Sequence, residues 1–117
     1  MIKGIGIDII EINRIRKSIE NERFLERVLT TNERMYLKGL QGEARKAEFV
    51  AGRFAAKEAF AKAMGTGIGK LSFQDIEVVN DERGKPMLSV SLPDKMNIFV
   101  SISHSKEYAV AQVVLEG

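Results

Sequence analysis

FAAKEAFAK, residues 54–62, is the centre of the sequence pattern that decides the fold. It belongs to a predicted helix that begins at about Glu43 and ends at Met64, just before Gly65, a residue type favoured at helix ends. At about 100° per residue, Glu58 projects from an apolar face of mostly small side chains, and the opposite face is apolar as well. The near face carries Ala47, Ala51, Phe54, Ala55 and Ala61, and the far face carries Phe49, Ala56, Phe60 and Ala63.

Glu58 is costly in that position, because a buried carboxylate without a partner takes up a proton. We therefore expect a positive charge beside it. Lys62, one turn further along the helix, is one candidate, and a divalent metal ion is another.

The composition of the chain limits the possible functions. Its 117 residues, of which 44% are hydrophobic, predict one domain spanning residues 1–117. The absence of cysteine excludes disulfides, zinc-thiolate sites and thiol catalysis, and it favours a cytoplasmic location. A net charge of +2 is too small to favour nucleic acid as the partner. The first residues carry Asp8 and Glu11 within an apolar run, so we expect a strand there and no membrane partner.

That N-terminal strand has two different faces. Isoleucines form one face, and Asp8 lies on the other behind two glycines. The glycines have two explanations that the spacing leaves open, room for a ligand beside Asp8 or a helix that crosses close to the strand. The isoleucines are Ile5, Ile7 and Ile9, and the glycines are Gly4 and Gly6.

The other elements predict an α+β fold with an N-terminal strand, several helices including one long central helix, and antiparallel strands. Short helical pieces follow Glu11, and the spacing of Thr30 and Glu33 predicts a capping box for a helix that ends near Gly39. Strands are predicted at residues 75–80, 87–92, 98–103 and 108–115, and Pro86 suits a strand edge.

Two motifs invite a functional interpretation. Residues 65–70, GTGIGK, resemble a phosphate-binding loop, but they follow a helix instead of preceding one, so we interpret them as a helix cap. His104, the only histidine, closes a strand between serines, and a structural role and ligand contact are both open. A single histidine and the lack of a G-x-S-x-G turn argue against acyl-enzyme chemistry.

Asp8 and Glu58 are the remaining constellation. Two carboxylates that share a divalent cation with substrate phosphates are typical of magnesium sites in phosphoryl transfer. This interpretation requires the strand and the helix to meet, and Lys62 would then act as a charge clamp on the phosphate.

Taken together, these segments resemble the holo-acyl-carrier-protein synthases, the small bacterial members of the 4′-phosphopantetheinyl transferase superfamily. The resemblance extends over nearly the whole chain in order. The matching segments are GIGIDIIEI at 4–12, Leu29-Thr30-x-x-Glu33, EFVAGRFAAKEAFAKAMGTGI at 48–68, GKP at 84–86 and SISHS at 101–105.

The resemblance implies a 4′-phosphopantetheinyl transferase fold and the transfer of the phosphopantetheine arm of coenzyme A to a serine of apo-acyl carrier protein, in fatty acid biosynthesis. The other product would be adenosine 3′,5′-bisphosphate. Mg²⁺ would be the cofactor, with Asp8 and Glu58 as its ligands and Lys62 neutralising phosphate charge. Either Glu58 or a water bound by the metal would take the proton of the serine.

The resemblance also implies contacts with substrates and with other subunits. A trimer is expected, with active sites between subunits. Coenzyme A contacts are expected at Arg45, Lys46, Arg53, Gly65, Gly84, Pro86 and His104, and docking of the acidic carrier protein at Arg14, Lys17, Arg23 and Phe24.

Gln112 interrupts an otherwise apolar face of the last strand. Because a buried amide needs hydrogen-bond partners, we expect Gln112 at the trimer interface, near the symmetry axis. Two other functions compete with catalysis. One is a non-catalytic module that binds nucleotides or acidic proteins, and the other is a nucleic-acid-binding protein, which the weak net charge disfavours.

Overall fold

A three-stranded antiparallel sheet and one long helix form the body of the protein. The structure is a computed structural model that describes residues 1–66, 71–92 and 95–117. In chain order the elements are β1 (Ile2–Glu11), α1 (Ile12–Ser18), α2 (Glu22–Val28), α3 (Thr31–Gly39), α4 (Glu43–Met64), a 3₁₀ turn (Phe73–Asp75), β2 (Ile76–Asn80), β3 (Pro86–Val90), β4 (Asn97–His104) and β5 (Tyr108–Glu116).

The sheets are antiparallel, as the sequence predicts. β5 is the central strand of the larger sheet, with β1 on one side and β4 on the other, and β2 and β3 form a separate hairpin. The predicted α+β fold is therefore confirmed, with strand ends displaced by one or two residues. Pro86 is the first residue of β3, where its missing N–H does least harm.

Helix α4 crosses the inner face of the sheet directly over the glycines of β1. A Cβ atom added to Gly4 would overlap the carbonyl oxygen of Ala63, and one added to Gly6 would overlap that of Ala59. Of the two explanations for these glycines, the close helix crossing is therefore right and the open space for a ligand is wrong. Alanines on the helix and glycines on the strand allow the two backbones to touch.

The outer face of the same sheet is apolar and uncovered in the single chain. Ile5, Ile7 and Ile9 are 57–63% exposed, and Phe99 of β4 is 52% exposed. Gln112 lies on this face too, opposite Ile7 in the register of β5 with β1. An apolar face of this kind on a folded protein marks an interaction surface.

A buried ion pair that the sequence pattern does not reveal ties the smaller helices to α4. The ammonium group of Lys57, whose side chain is fully buried, donates a hydrogen bond of 2.6 Å to Glu33 Oε1 and others to the carbonyls of Val28 and Phe73. Burial lowers the pKa of Lys57, and the charge of Glu33 opposes that shift.

Glu33 has a second role, in the predicted capping box of α3, which is confirmed. The backbone N–H of Thr30 donates to Glu33 Oε1 at 2.8 Å, and that of Glu33 donates to Thr30 Oγ1 at 3.2 Å. Glu33 Oε2 also accepts from the N–H of Val78 on β2. One carboxylate therefore joins α3, α4 and the small hairpin.

The C-terminal end of α4 matches the prediction where the structure describes it. Gly65 has φ of +78°, the left-handed conformation of a helix cap. The rest of the predicted cap, from Gly67 to Lys70, lies outside the described residues. In the part of the chain that the structure describes, no helix is both long and apolar enough to cross a membrane.

Gly6→Ala should destabilise the protein by about 1–3 kcal/mol or more, because the new methyl group would push α4 away from β1. Gly39→Ala is the matched control, since nothing lies within 4 Å of a Cβ at that position. Urea denaturation of both variants measures the difference. Equal midpoints would contradict the close contact.

Candidate active site

The predicted meeting of the first strand and the long helix takes place at Asp8. Its side chain, 16% exposed, lies on the face of β1 that α4 covers, and Oδ1 accepts a hydrogen bond of 3.0 Å from the ammonium group of Lys62. The same ammonium group donates to the carbonyl of Ile7 at 2.9 Å. Lys62, one of the two cations predicted beside Glu58, therefore hydrogen-bonds to Asp8, while its positive charge also acts on Glu58.

Glu58 is partly buried one turn before Lys62. Burial raises the pKa of Glu58 above its usual value, and the negative charge of Asp8 raises it further. The positive charges of Lys62 and Arg27 oppose that rise in pKa. Within the described ranges, no group of this chain donates a hydrogen bond to the Glu58 carboxylate. The site thus holds a carboxylate that a further cation would stabilise.

A pocket of about 360 Å³ brings these carboxylates together. Asp8 and Glu58 both line it, so the predicted pair does share one site. The remaining lining residues are Ile9, Ile10, Glu11, Arg14, Phe54 and Tyr108. We call this space the carboxylate pocket.

The donor set of the carboxylate pocket fits a hard divalent cation that takes further oxygens from a substrate. Among the described residues, no group of three or more His, Cys, Asp or Glu side chains could enclose a metal ion. Two carboxylates alone leave most positions of an octahedral Mg²⁺ shell open to water or phosphate oxygens.

A second pocket, of about 190 Å³, collects three of the residues predicted to contact coenzyme A. Arg45, Arg53 and His104 all line it. His104 Nδ1 lies 3.4 Å from Glu48 Oε2, and both side chains are partly exposed. We call this the basic pocket, and it shares no lining residue with the carboxylate pocket.

Arg53 is the most constrained cation of the basic pocket. Its guanidinium carbon lies 4.2 Å from the centre of the Phe49 ring, which itself stacks on Tyr36 at 5.0 Å. Burial lowers the pKa of Arg53, and the charges of Glu33 and Tyr36 partly oppose this. Its buried Nε has no hydrogen-bond partner among the described residues.

Four other predicted coenzyme A contacts lie elsewhere in the single chain. Lys46, near the start of α4, lines a different pocket together with residues of α2 and α3. Gly65 caps α4, Gly84 has φ of +84° in the turn between β2 and β3, and Pro86 begins β3. None of these four lines the carboxylate pocket or the basic pocket.

The predicted docking residues lie on α1 and α2, beside the carboxylate pocket. Arg14 lines that pocket, and Lys17 and Arg23 are exposed. The ring of Phe24 is 6.3 Å from that of Phe54, a lining residue of the same pocket. A basic and aromatic surface therefore borders the paired carboxylates.

The sequence and the fold match known proteins closely. A family model described as the 4′-phosphopantetheinyl transferase superfamily matches residues 4–113. This chain belongs to that superfamily. It is 64% identical over 118 residues to the holo-[acyl-carrier-protein] synthase of Bacillus thuringiensis, covering 99% of this chain and 97% of that protein.

Solved structures of such synthases have the same fold. A holo-(acyl-carrier-protein) synthase from Bacillus anthracis in complex with CoA (3′,5′-ADP) superimposes with a TM-score of 0.92 at 65% identity, covering 99% of this chain and 97% of that one. The Helicobacter pylori enzyme in complex with coenzyme A gives 0.82 at 37% identity, over 96% and 99% of the two chains. The predicted family, the predicted fold and the predicted transferase function are confirmed.

Two residues next to the site are absent from the sequence analysis. Lys57 is one of several charged residues of α4, and their spacing gives no periodic signal that marks Lys57 as the buried one. Arg27 influences Glu58 only because α2 lies against α4, a tertiary contact that no local pattern encodes.

Glu58→Gln should leave the protein equally stable or more stable at neutral pH. Because the pKa of Glu58 is raised in the folded protein, ionisation of Glu58 destabilises the fold, and this cost is complete at pH values above the folded-state pKa. The advantage of the variant should vanish as the pH falls below about 4.3, the unfolded value for Glu. Thermal denaturation in metal-free buffer across this range measures it, and a variant that is less stable at neutral pH would contradict the assignment.

Proposed function

We propose that this chain transfers the 4′-phosphopantetheine group of coenzyme A to a serine of apo-acyl carrier protein, in fatty acid biosynthesis. Holo-acyl carrier protein and adenosine 3′,5′-bisphosphate are the products. The carboxylate pocket is the observation that carries this proposal, because Asp8 and Glu58 both line it and Lys62 is hydrogen-bonded to Asp8 beside it. The coenzyme A complexes of the Bacillus anthracis and Helicobacter pylori proteins support the same substrate.

Asp8 and Glu58 would hold Mg²⁺ together with oxygens of the coenzyme A pyrophosphate. When bound, the ion would supply positive charge to the phosphate oxygens of the transition state. Lys62, already 3.0 Å from Asp8, would contribute a second positive charge at the same place.

The nucleophile in this proposal comes from the substrate. The described residues that line the carboxylate pocket include no serine, threonine or cysteine. The serine of the carrier protein would enter beside Arg14 and Phe54, and its proton would pass to Glu58 or to water.

A trimer with active sites between subunits would explain why the proposed metal ligands and the proposed coenzyme A contacts lie in separate pockets of one chain. One coenzyme A molecule would need both the carboxylate pocket and the basic pocket, and these share no lining residue. The exposed isoleucine face of β1 would become buried in such an assembly. The protein would be located in the cytoplasm, in keeping with a chain that has no cysteine.

Incubation with coenzyme A, Mg²⁺ and an apo-carrier protein tests the proposal. Mass spectrometry of the carrier should detect one added phosphopantetheine group, and chelation of the metal by EDTA should prevent its addition. The alternative, a non-catalytic module that binds nucleotides or acidic proteins, predicts binding of coenzyme A without any modification of the carrier.

Asp8→Asn and Glu58→Gln should each lower the turnover number at least about a hundredfold, because each removes a charged ligand from the metal. Both variants keep the volume of the side chain, so we expect folded protein. Glu116→Gln, at the exposed end of β5, is the control that keeps activity. Wild-type turnover in either pocket variant at limiting Mg²⁺ would refute the assignment of the ligands.

Reversing the charges of Arg14 and Lys17 to Glu should raise the KM for the carrier protein and leave coenzyme A binding intact. Charges at the rim of an interface act mainly on association, so the wild-type KM should also rise with salt. Lys95→Glu, just before β4 and at the opposite end of the sheet, is the control. Unchanged carrier kinetics would mean that this basic run is only a solvated face.

Gln112→Glu should dissociate the trimer and abolish activity, because three like charges would meet near the symmetry axis. Gln41→Glu introduces the same change at an exposed position before α4 and should have no effect on assembly. Sedimentation velocity separates the outcomes. A Gln112→Glu protein that stays trimeric and active would place this residue away from the axis.

A further inference from the structure

Helix α2 is fixed against α4 by two contacts next to the carboxylate pocket. The ring of Phe24 stacks on that of Phe54 at 6.3 Å. One turn later, the carbonyl of Val28 accepts a hydrogen bond of 2.8 Å from the buried ammonium group of Lys57. The two helices therefore run in the same direction along this contact. The last turn of α2 lies beside the part of α4 around Lys57.

These contacts place Arg27 beside Glu58. Arg27 lies three residues after Phe24 on α2, and Glu58 lies four residues after Phe54 on α4, so each is on the same face of its helix as one of the two stacked rings. The positive charge of Arg27 favours the ionised form of Glu58, as expected for neighbouring groups. Gln74 fixes the backbone there as well, since its amide donates to the carbonyl of Arg27 at 3.4 Å.

The guanidinium group of Arg27 is available to a substrate. Its side chain is exposed, and no salt bridge between described residues involves it. Lys62 differs, because its ammonium group already contacts Asp8 and the carbonyl of Ile7. Lys62 extends toward β1, whereas Arg27 belongs to α2, on the side of the stacked Phe24 and Phe54 rings. Arg27 does not itself line the carboxylate pocket, but its long side chain could reach a phosphate bound there from that side.

We propose that Arg27 contacts the phosphoryl group that the enzyme transfers and stabilises its charge in the transition state. The inference rests on the function proposed above. In that reaction the serine oxygen forms a bond to the phosphorus that carries the pantetheine arm. The bond from that phosphorus to the oxygen of adenosine 3′,5′-bisphosphate breaks, and the serine proton leaves to a base. A planar guanidinium can donate two parallel hydrogen bonds to the oxygens of such a group.

The test compares Arg27→Ala, Arg27→Lys and the control Lys95→Ala in steady-state assays with coenzyme A, Mg²⁺ and apo-carrier protein. Loss of one charge-stabilising donor typically lowers kcat by about 10²–10³-fold, and we expect Arg27→Ala to fall in that range. The KM values for both substrates should change far less than kcat. Arg27→Lys keeps the charge without the paired donors, so it should recover part of kcat.

Chemical rescue gives a readout that a purely structural role would not affect. Guanidinium ion added to Arg27→Ala, at concentrations well below denaturing ones, should restore part of kcat, whereas sodium chloride at the same ionic strength should not. Urea denaturation of each variant records whether the fold is intact. Arg27→Lys keeps the test decisive if the alanine variant is unstable, since it should still show a lowered kcat.

Three outcomes would overturn the inference. Wild-type kcat in Arg27→Ala is the simplest. A raised KM for the carrier with unchanged kcat would make Arg27 a docking residue instead. A loss of kcat that follows loss of stability, and that neither Arg27→Lys nor guanidinium reverses, would make it structural. Failure of the wild-type chain to modify any carrier would instead refute the proposed function, and that result does not depend on the Arg27 variants.

Discussion

The close packing of α4 on β1 is the constraint on which the rest of the structure depends. Gly4 and Gly6 let the strand approach the backbone of α4 at Ala59 and Ala63, where any larger residue on the strand would overlap it. Asp8 lies two residues after Gly6, on the same face of the strand, and its carboxylate therefore meets Lys62 of the helix. A packing requirement between two backbones thus fixes where a carboxylate of the site lies.

The electrostatics of the site follow from that geometry. Two carboxylates share a partly buried pocket, and their mutual repulsion together with burial raises the pKa of Glu58. Lys62 and Arg27 offset only part of this cost, and Lys62 is hydrogen-bonded to Asp8. Such a site gains most from a divalent cation and a phosphate that arrive together, since each neutralises charge that the other leaves uncompensated.

Local sequence patterns were sufficient for the elements and for the centre of the site. The alanine-rich helix ending at Gly65, the alternating strand with Asp8 and the capping box of Thr30 and Glu33 all depend on residues close in sequence, so their spacing predicts them. The predicted bounds of α4, residues 43–64, agree with the structure. Strand ends were less accurate, because pairing partners decide where a strand stops.

Contacts between distant segments could not be predicted from these patterns. Glu33 has an obvious role as a helix cap, which gives no indication that it also pairs with Lys57 in the core. Arg45 and Lys46 are adjacent in sequence, yet they line different pockets, since neighbours on a helix point about 100° apart. The two explanations of the glycines were separable only once the position of α4 was known.

The most direct test of the central claim, that Asp8 and Glu58 together bind a divalent metal, is to count bound Mn²⁺ by electron paramagnetic resonance in the presence of coenzyme A. We predict about one high-affinity Mn²⁺ per chain for the wild type, and binding weakened at least tenfold in both Asp8→Asn and Glu58→Gln. Binding of Mn²⁺ with wild-type affinity by either variant would contradict the account.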